Sequence, residues 1–181
     1  MLTRRHRQPG LVCQRFCWER TGRHLSYDSS REPNATHIAG RVAHDDLIGM
    51  PWGTQVTSHL GEPLRLLRPS TDDIVRNLKR STQIVYPKDA GHILMKLSIA
   101  PGCREIEEGT GSGGLTLVSA QTVHRTGWVM SYETRPAVQQ LARENLEQLG
   151  LSEYVNFRER DIAEGFEEHG VDGLILDVAV P

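Results

Sequence analysis

Four glycines fall within six positions in Gly109-Thr110-Gly111-Ser112-Gly113-Gly114, and four acids, Glu107, Glu133, Asp161 and Asp177, lie on either side of them along the chain. Glycine permits positive φ and lets the main chain approach a bound molecule closely, and a helix that begins at such a turn aims unpaired amides at it. Carboxylates accept hydrogen bonds from hydroxyl and amino groups. A glycine turn with several carboxylates therefore suits a ligand that presents sugar hydroxyls, amino groups or a positive charge.

For that chemistry the acids must be gathered at one place, and the ends of neighbouring parallel strands do this. The sequence supplies such elements from Lys88 onward. Lys88-Asp89 opens a helix with Ile93, Leu94 and Leu97 on one face, which Pro101-Gly102 ends. A strand is predicted over 103–107, closing at Glu107, followed by the glycine turn and a helix over 114–123. A strand over 128–132 leads to Glu133, and a helix over 136–149 carries Val138, Leu141, Ala142, Leu146 and Leu149 on one stripe. Strands over 155–158 and 174–176 run to Asp161 and Asp177. Strands alternating with amphipathic helices predict an α/β fold with a parallel, Rossmann-like sheet.

Two templates fit the glycines. Gly109, Gly111 and Gly114 satisfy the G-x-G-x-x-G of dinucleotide binding, whereas Gly109, Gly111 and Gly113 satisfy the G-x-G-x-G of S-adenosylmethionine-dependent methyltransferases. In both, an acid ending the second strand binds ribose hydroxyls, and Glu133 is placed for it. The other acids separate the two. Glu107 just before the glycines can meet the amino group of a methionine moiety but would repel a pyrophosphate. Asp161 can accept from an adenine amino group, and Asp177 ends the fourth strand near the switch point, where an α/β sheet places its reaction centre. Four acids at four strand ends favour a sulfonium over an anionic dinucleotide. An NAD-dependent oxidoreductase stays as the alternative.

The chain has 181 residues with 38% hydrophobic content, enough for one ordinary domain and a small appendage. Its 21 Lys and Arg against 23 Asp and Glu hide an asymmetry: 8 basic and 3 acidic residues up to Arg41, 13 and 20 thereafter. No apolar run approaches the ~18 to 20 residues that span a bilayer, and the start MLTRRHRQPG continues with polar residues, unlike a signal peptide. A cytoplasmic protein is expected. Three cysteines do not make a disulfide framework, and Cys13, Cys17, His6 and His24 match no standard metal spacing, so no metal site is expected.

Residues 1–39 show no period and are expected to be a poorly ordered basic segment. From Gly40 to Pro69 short apolar pieces punctuated by Gly49, Gly53 and Gly61 suggest a meander of short strands. Ser70-Thr71-Asp72-Asp73 caps a helix starting near residue 71, and 79–83 reads as a linker. The expected domains are thus 40–80, a small β domain with a linker helix, and 81–181.

With these residues in view, the chain resembles the tRNA adenine-N1 methyltransferases that modify adenine 58 of the T-loop, which are class I S-adenosylmethionine-dependent enzymes. The resemblance starts near Ala43-His44-Asp45-Asp46-Leu47-Ile48-Gly49 and Pro51-Trp52-Gly53 and runs through Thr82-Gln83-Ile84-Val85-Tyr86-Pro87-Lys88-Asp89. It continues over Glu107 to Leu117, Ser131-Tyr132-Glu133, Asp161 and Leu176-Asp177. It implies that Ser112, Gly113, Gly114 and Leu115 line the methionine side of the cofactor. Glu133 would take the ribose hydroxyls, Val138 would pack near the adenosine, and Asp161 would bind the adenine amino group. Asp177 and Tyr86 would border the target base as catalytic residues. The partner implied is tRNA, the assembly a homotetramer, and a non-catalytic tRNA-binding subunit is a further alternative.

Glu105 departs from the apolar strand of this family and puts a carboxylate in a central strand, where an uncompensated charge is costly. Val178-Ala179-Val180-Pro181 departs from the family's turn after the acid, and the first four strands of the fuller sheet are all the chain supplies. A truncated frame or a fragment of a longer enzyme is expected.

Overall fold

A computed structural model describes residues 16–18, 24–25, 34–37 and 40–178. The chain divides into two compact units between Ile74 and Val75.

The first unit is built from short strands: β1 (Phe16–Trp18), β2 (His24–Leu25), β3 (Asn34–His37), β4 (Gly40–Ala43), β5 (Gln55–Thr57) and β6 (Pro63–Leu67). β2, β1, β6 and β5 form an antiparallel sheet in that order, and β3 pairs with β4. Alternation along β6 buries Leu64 and Leu66, which join Val42, Leu47 and Val56 in one core. Three strands thus occur in the segment where no regular element was expected. They are two to four residues long, too short to show a period, and β1 takes its pairing from β6, about fifty residues later in the chain. The rest of the segment expected to be poorly ordered, with Cys13 and His6, lies outside the described residues. The expected meander also contains a four-residue helix, α1 (His44–Leu47).

α2 (Thr71–Arg76) begins as its sequence predicts. Ser70 Oγ accepts the N–H of Asp73 (3.2 Å), and Asp73 Oδ2 accepts the N–H of Ser70 (2.8 Å), a reciprocal cap.

The second unit contains α3 (Pro87–Lys96), β7 (Arg104–Glu108), α4 (Gly114–Val123), β8 (Trp128–Glu133), α5 (Pro136–Gln148), β9 (Val155–Glu159) and β10 (Gly173–Leu176). All strands are parallel, in the order β10-β7-β8-β9. The α/β class with a parallel sheet is as the sequence predicts. β7 and β8 are central and nearly continuous in burial, as strands covered on both faces are.

The two faces of β7 differ. Ile106 packs with Met130 and Tyr132 on one face, where the segment after β9 covers them with Ile162 and Val171. Tyr132 donates its hydroxyl to Glu168 Oε2 (2.6 Å), fastening that segment. Glu105 and Glu107 point to the other face, towards α4, and Ile175 packs there with Ala90 and Leu115. α4 meets the two acids with hydroxyls and is buried at seven of its ten positions. α5 is amphipathic, yet Gln139 and Asn145 lie buried on its inner side beside Ala142 and Leu146.

Candidate cofactor site

The turn between β7 and α4 relies on glycine, most strictly at Gly109. Gly109, Gly111 and Gly113 have φ of 92°, 53° and 85°. A Cβ on Gly109 would stand 2.2 Å from the carbonyl oxygen of Asp177, so the turn and the end of β10 can pack only without a side chain here.

The amides of the turn are spoken for in sequence. Gly109 and Thr110 donate to Tyr132 O (3.0 and 3.2 Å), Gly111 to Glu133 Oε2 (3.1 Å) and Gly113 to Thr110 O (2.9 Å). Leu117 is the first residue of α4 to bond back, to Gly113 O (3.0 Å). The amides of Gly114, Leu115 and Thr116 precede the helical ladder and are the donors this end of α4 can offer a ligand. Leu115 has its side chain in the core with Ala90 and Ile175, so its offering is the main chain.

The four acids stand at the ends of the four parallel strands. Glu107 is fully buried; its Oε2 accepts from Thr116 Oγ1 (2.6 Å) and Ser131 Oγ (2.7 Å), while among the described residues its Oε1 has no partner. Burial, reinforced by the charges of Glu105 and Asp177 against the two hydroxyl bonds, pushes its carboxyl up to about 8. Glu105, two residues earlier on the same face, accepts from Ser119 Oγ (2.8 Å), and burial pushes it up to about 7. The structure thus resolves the cost of a charge in the central strand: Glu105 has a hydroxyl partner on one oxygen and is held neutral over the acid range.

Glu133 behaves oppositely. Burial pulls its carboxyl upward, but hydrogen bonds from the side chain and N–H of Arg135 and from Gly111 N, with the Arg135 charge, outweigh this and hold it below its usual value. Asp161 Oδ1 accepts the N–H of Ala163 (2.8 Å), capping the 3-10 helix Ile162–Glu164, and among the described residues Oδ2 is uncommitted. The neighbouring Ile162 N–H reaches Glu108 Oε1 (3.4 Å). Asp177 donates its N–H to Glu108 O (2.8 Å), and loss of hydration pushes its carboxyl up.

The structure brings the glycine turn together with Glu107, Glu133 and Asp177, and sets Asp161 just past β9, whose last residue Glu159 pairs with Glu133. Val138 is half-buried in the first turn of α5. Tyr86 precedes α3, is 39% exposed and has the Arg76 guanidinium 5.8 Å from its ring centre. Its neighbour Val85 reaches the turn: a Cβ on Gly114 would lie 3.8 Å from Val85 O. Ser112 is 1% exposed, and its N–H, carbonyl and hydroxyl all bond within the protein.

Sequence reasoning missed Thr116, Ser131, Arg135, Thr82 and Asn145. Asn145 carried a readable signal, a polar side chain on the apolar stripe of α5 between Ala142 and Leu146. Among the described residues no cluster of three His, Cys, Asp or Glu is arranged to hold a metal, and no helix is long and apolar enough to cross a membrane.

Known proteins resemble this chain in sequence and in fold. The tRNA (adenine(58)-N(1))-methyltransferase TrmI of Thermus thermophilus is 40% identical over 146 residues, covering 80% of this chain and 57% of that protein. The chain therefore spans little more than half the length of this relative. The structure of an S-adenosylmethionine-dependent O-methyltransferase from Thermotoga maritima superposes with a TM-score of 0.81 at 34% identity, over 93% of this chain and 63% of the other. That of tRNA (m1A58) methyltransferase TrmI from Aquifex aeolicus, at 23% identity, shares the fold with a TM-score of 0.74, over 93% of this chain and 66% of the other. Residues 64–181 match the model of the family described as tRNA methyltransferase complex GCD14 subunit, and the chain belongs to that family.

Proposed function

We propose that the chain carries the cofactor-binding part of a methyltransferase that takes S-adenosylmethionine and modifies N1 of adenine 58 in the T-loop of tRNA. The observation that carries this reading is the set of acids Glu107, Glu133, Asp161 and Asp177 at the ends of four adjacent parallel strands around a glycine turn. Among the described residues Glu107 Oε1, like Glu105 Oε2, is a buried acceptor without a donor, and Glu107 lies two residues before the glycine turn. An ammonium would supply the missing donor and draw Glu107, otherwise held neutral by burial, toward its charged form, whereas a pyrophosphate would meet the carboxylate of Glu133. The relatives' names support methyl transfer over the oxidoreductase alternative.

On this reading the amides of Gly114 and Leu115 face the methionine carboxylate, Glu107 its ammonium, Glu133 the ribose hydroxyls, Val138 the adenosine, and Asp161 Oδ2 the adenine amino group. When bound, S-adenosylmethionine supplies an electrophilic methyl group on a sulfonium. Adenine N1 has a free lone pair at neutral pH, so no residue need remove a proton from it. What the protein must provide is alignment and compensation for the positive charge that develops on the base. Asp177 serves both ends by accepting from the exocyclic amino group, and Tyr86 borders the base. Because N1 lies on the pairing edge, the adenine must leave its stack to reach Asp177. Lys and Arg of the first unit hold phosphates. A cytoplasmic homotetramer is the assembly the family resemblance implies.

Labelled-methyl transfer to unmodified tRNA, with mapping of the modified nucleotide, tests the reaction. Calorimetry with S-adenosylhomocysteine and NAD tests the cofactor, and binding of NAD alone would sink the reading.

A further inference from the structure

Residues 79–83 read in sequence as a linker, yet Ser81 and Thr82 bond to the glycine turn through the N–H and hydroxyl of Ser112. Ser112 donates its N–H to Thr82 Oγ1 (3.0 Å). Its Oγ accepts the N–H groups of Ser81 (3.1 Å) and Thr82 (3.2 Å) and lies 2.9 Å from Thr82 Oγ1. Its carbonyl accepts from Asn145 Nδ2 (2.9 Å), and the same Nδ2 also donates to Lys79 O (2.8 Å). One side chain of α5 thus ties the turn and the segment together. The packing agrees: a Cβ on Gly111 would stand 3.1 Å from Thr82 Oγ1, and one on Gly114 would stand 3.1 Å from Ile84 Cβ.

These bonds bear on a turn that is soft by composition. Glycines at 109, 111 and 113, all at positive φ, lose much conformational freedom when fixed. A ligand that had to order them itself would bind more weakly by that cost. Ser112 sits between Gly111 and Gly113 with its N–H, hydroxyl and carbonyl all engaged within the protein, so its contribution is to transmit a fixed shape.

We propose that Thr82 and Asn145 are positioning residues of the cofactor site, which act through Ser112 to hold the glycine turn in its binding shape before the cofactor arrives. This rests on the reading of the turn as a cofactor site. The two residues approach Ser112 from opposite sides in sequence, 30 and 33 positions away, so a change at either releases the same turn. Thr82 lies four residues before Tyr86, and its anchoring also fixes the path by which that side chain is delivered.

The test is calorimetric binding of S-adenosylhomocysteine to the chain and its variants. Thr82→Val keeps the shape but removes Oγ1, and should weaken binding at least tenfold; Thr82→Ser restores Oγ1 and should return affinity to within threefold. Asn145→Ala should weaken binding comparably. Unchanged affinity in folded Thr82→Val and Asn145→Ala overturns the proposal. Because these variants can lose the fold, amide hydrogen exchange is read on the unaltered protein as well. The Ser112 amide should be protected without ligand, and exchange as fast as in an open loop, slowed only by S-adenosylhomocysteine, overturns it too. If the unaltered chain binds no S-adenosylhomocysteine, the site itself is refuted and the positioning role with it. That outcome is distinct from one in which unaltered and variant chains bind equally.

Discussion

Arg135 grips both oxygens of Glu133: its Nε lies 2.9 Å from Oε1 and its second terminal nitrogen donates to Oε2 at 3.0 Å. The carboxylate proposed to receive ribose hydroxyls is therefore occupied by a neighbour two residues away. The Arg135 side chain is 59% exposed, so solvent screens the pair.

Arg135→Ala should consequently tighten binding of S-adenosylhomocysteine, because the hydroxyls no longer compete with a guanidinium. Glu133 itself is buried but its partner is exposed, so the pair is worth on the order of 1 kcal/mol, and the gain should be at most about fivefold and should shrink with added salt. Titrations at low and high ionic strength check this. Weaker binding in the variant would show that Arg135 assists the ligand instead.

The buried acids of β7 set a pH dependence of stability. Glu105 at about 7 and Glu107 at about 8 are both raised above the ordinary 4.5. In the window between those values the folded chain binds more protons than the unfolded one, so stability falls as pH rises. Their contribution is complete below about pH 4.5 and is lost as pH climbs through 7 and 8. Glu133, held below its usual value, acts in the opposite sense and only at acid pH. The Tm should fall between pH 5.5 and 8.5 by an amount on the order of a few kcal/mol in stability, and Glu107→Gln should flatten the profile. A Tm independent of pH in the unaltered chain would count against the neutral pair.

Asp177→Asn should lower methyl transfer to tRNA by about 100-fold or more, the scale of losing one group aimed at developing charge. Affinity for S-adenosylhomocysteine should stay within a few-fold. Equal turnover in the variant would refute the role given to Asp177.

Two glycines with similar backbone angles should respond differently to alanine. Gly109 at φ 92° would place a Cβ 2.2 Å from Asp177 O, whereas Gly150 at φ 69° has nothing within 4 Å. Gly150→Ala should cost only the conformational penalty of about 1 to 2 kcal/mol. Gly109→Ala must in addition push β10 away and should cost several degrees more of Tm, with loss of ligand binding. Thermal melts of the two variants side by side decide it.

The parts of the fold with a strong local pattern were legible in the sequence. α4 was readable because a glycine turn precedes an apolar run, and α5 because Leu141, Ala142 and Leu146 recur at helical spacing. The reciprocal cap of Ser70 and Asp73 was likewise written in four consecutive residues. Apart from Asn145, what escaped has no local signature. β1 to β3 are fragments that exist through pairing, and the hydroxyls of Thr116 and Ser131 that accommodate Glu107 come from positions 9 and 24 residues away. Within the candidate site, a family pattern pointed to Ser112 as a lining residue; it could not show that Thr82 and Asn145 take up each of its polar atoms.

The bonds around Ser112 also bear on modularity. A glycine motif of six residues looks portable, a cassette that could be lifted into another parallel sheet with its strand and helix. Here its shape is underwritten by Thr82, from before α3, and by Asn145, from the far half of α5. A transplant would need three separated pieces of chain in register, and the bonds that shape the turn itself span from Lys79 to Asn145.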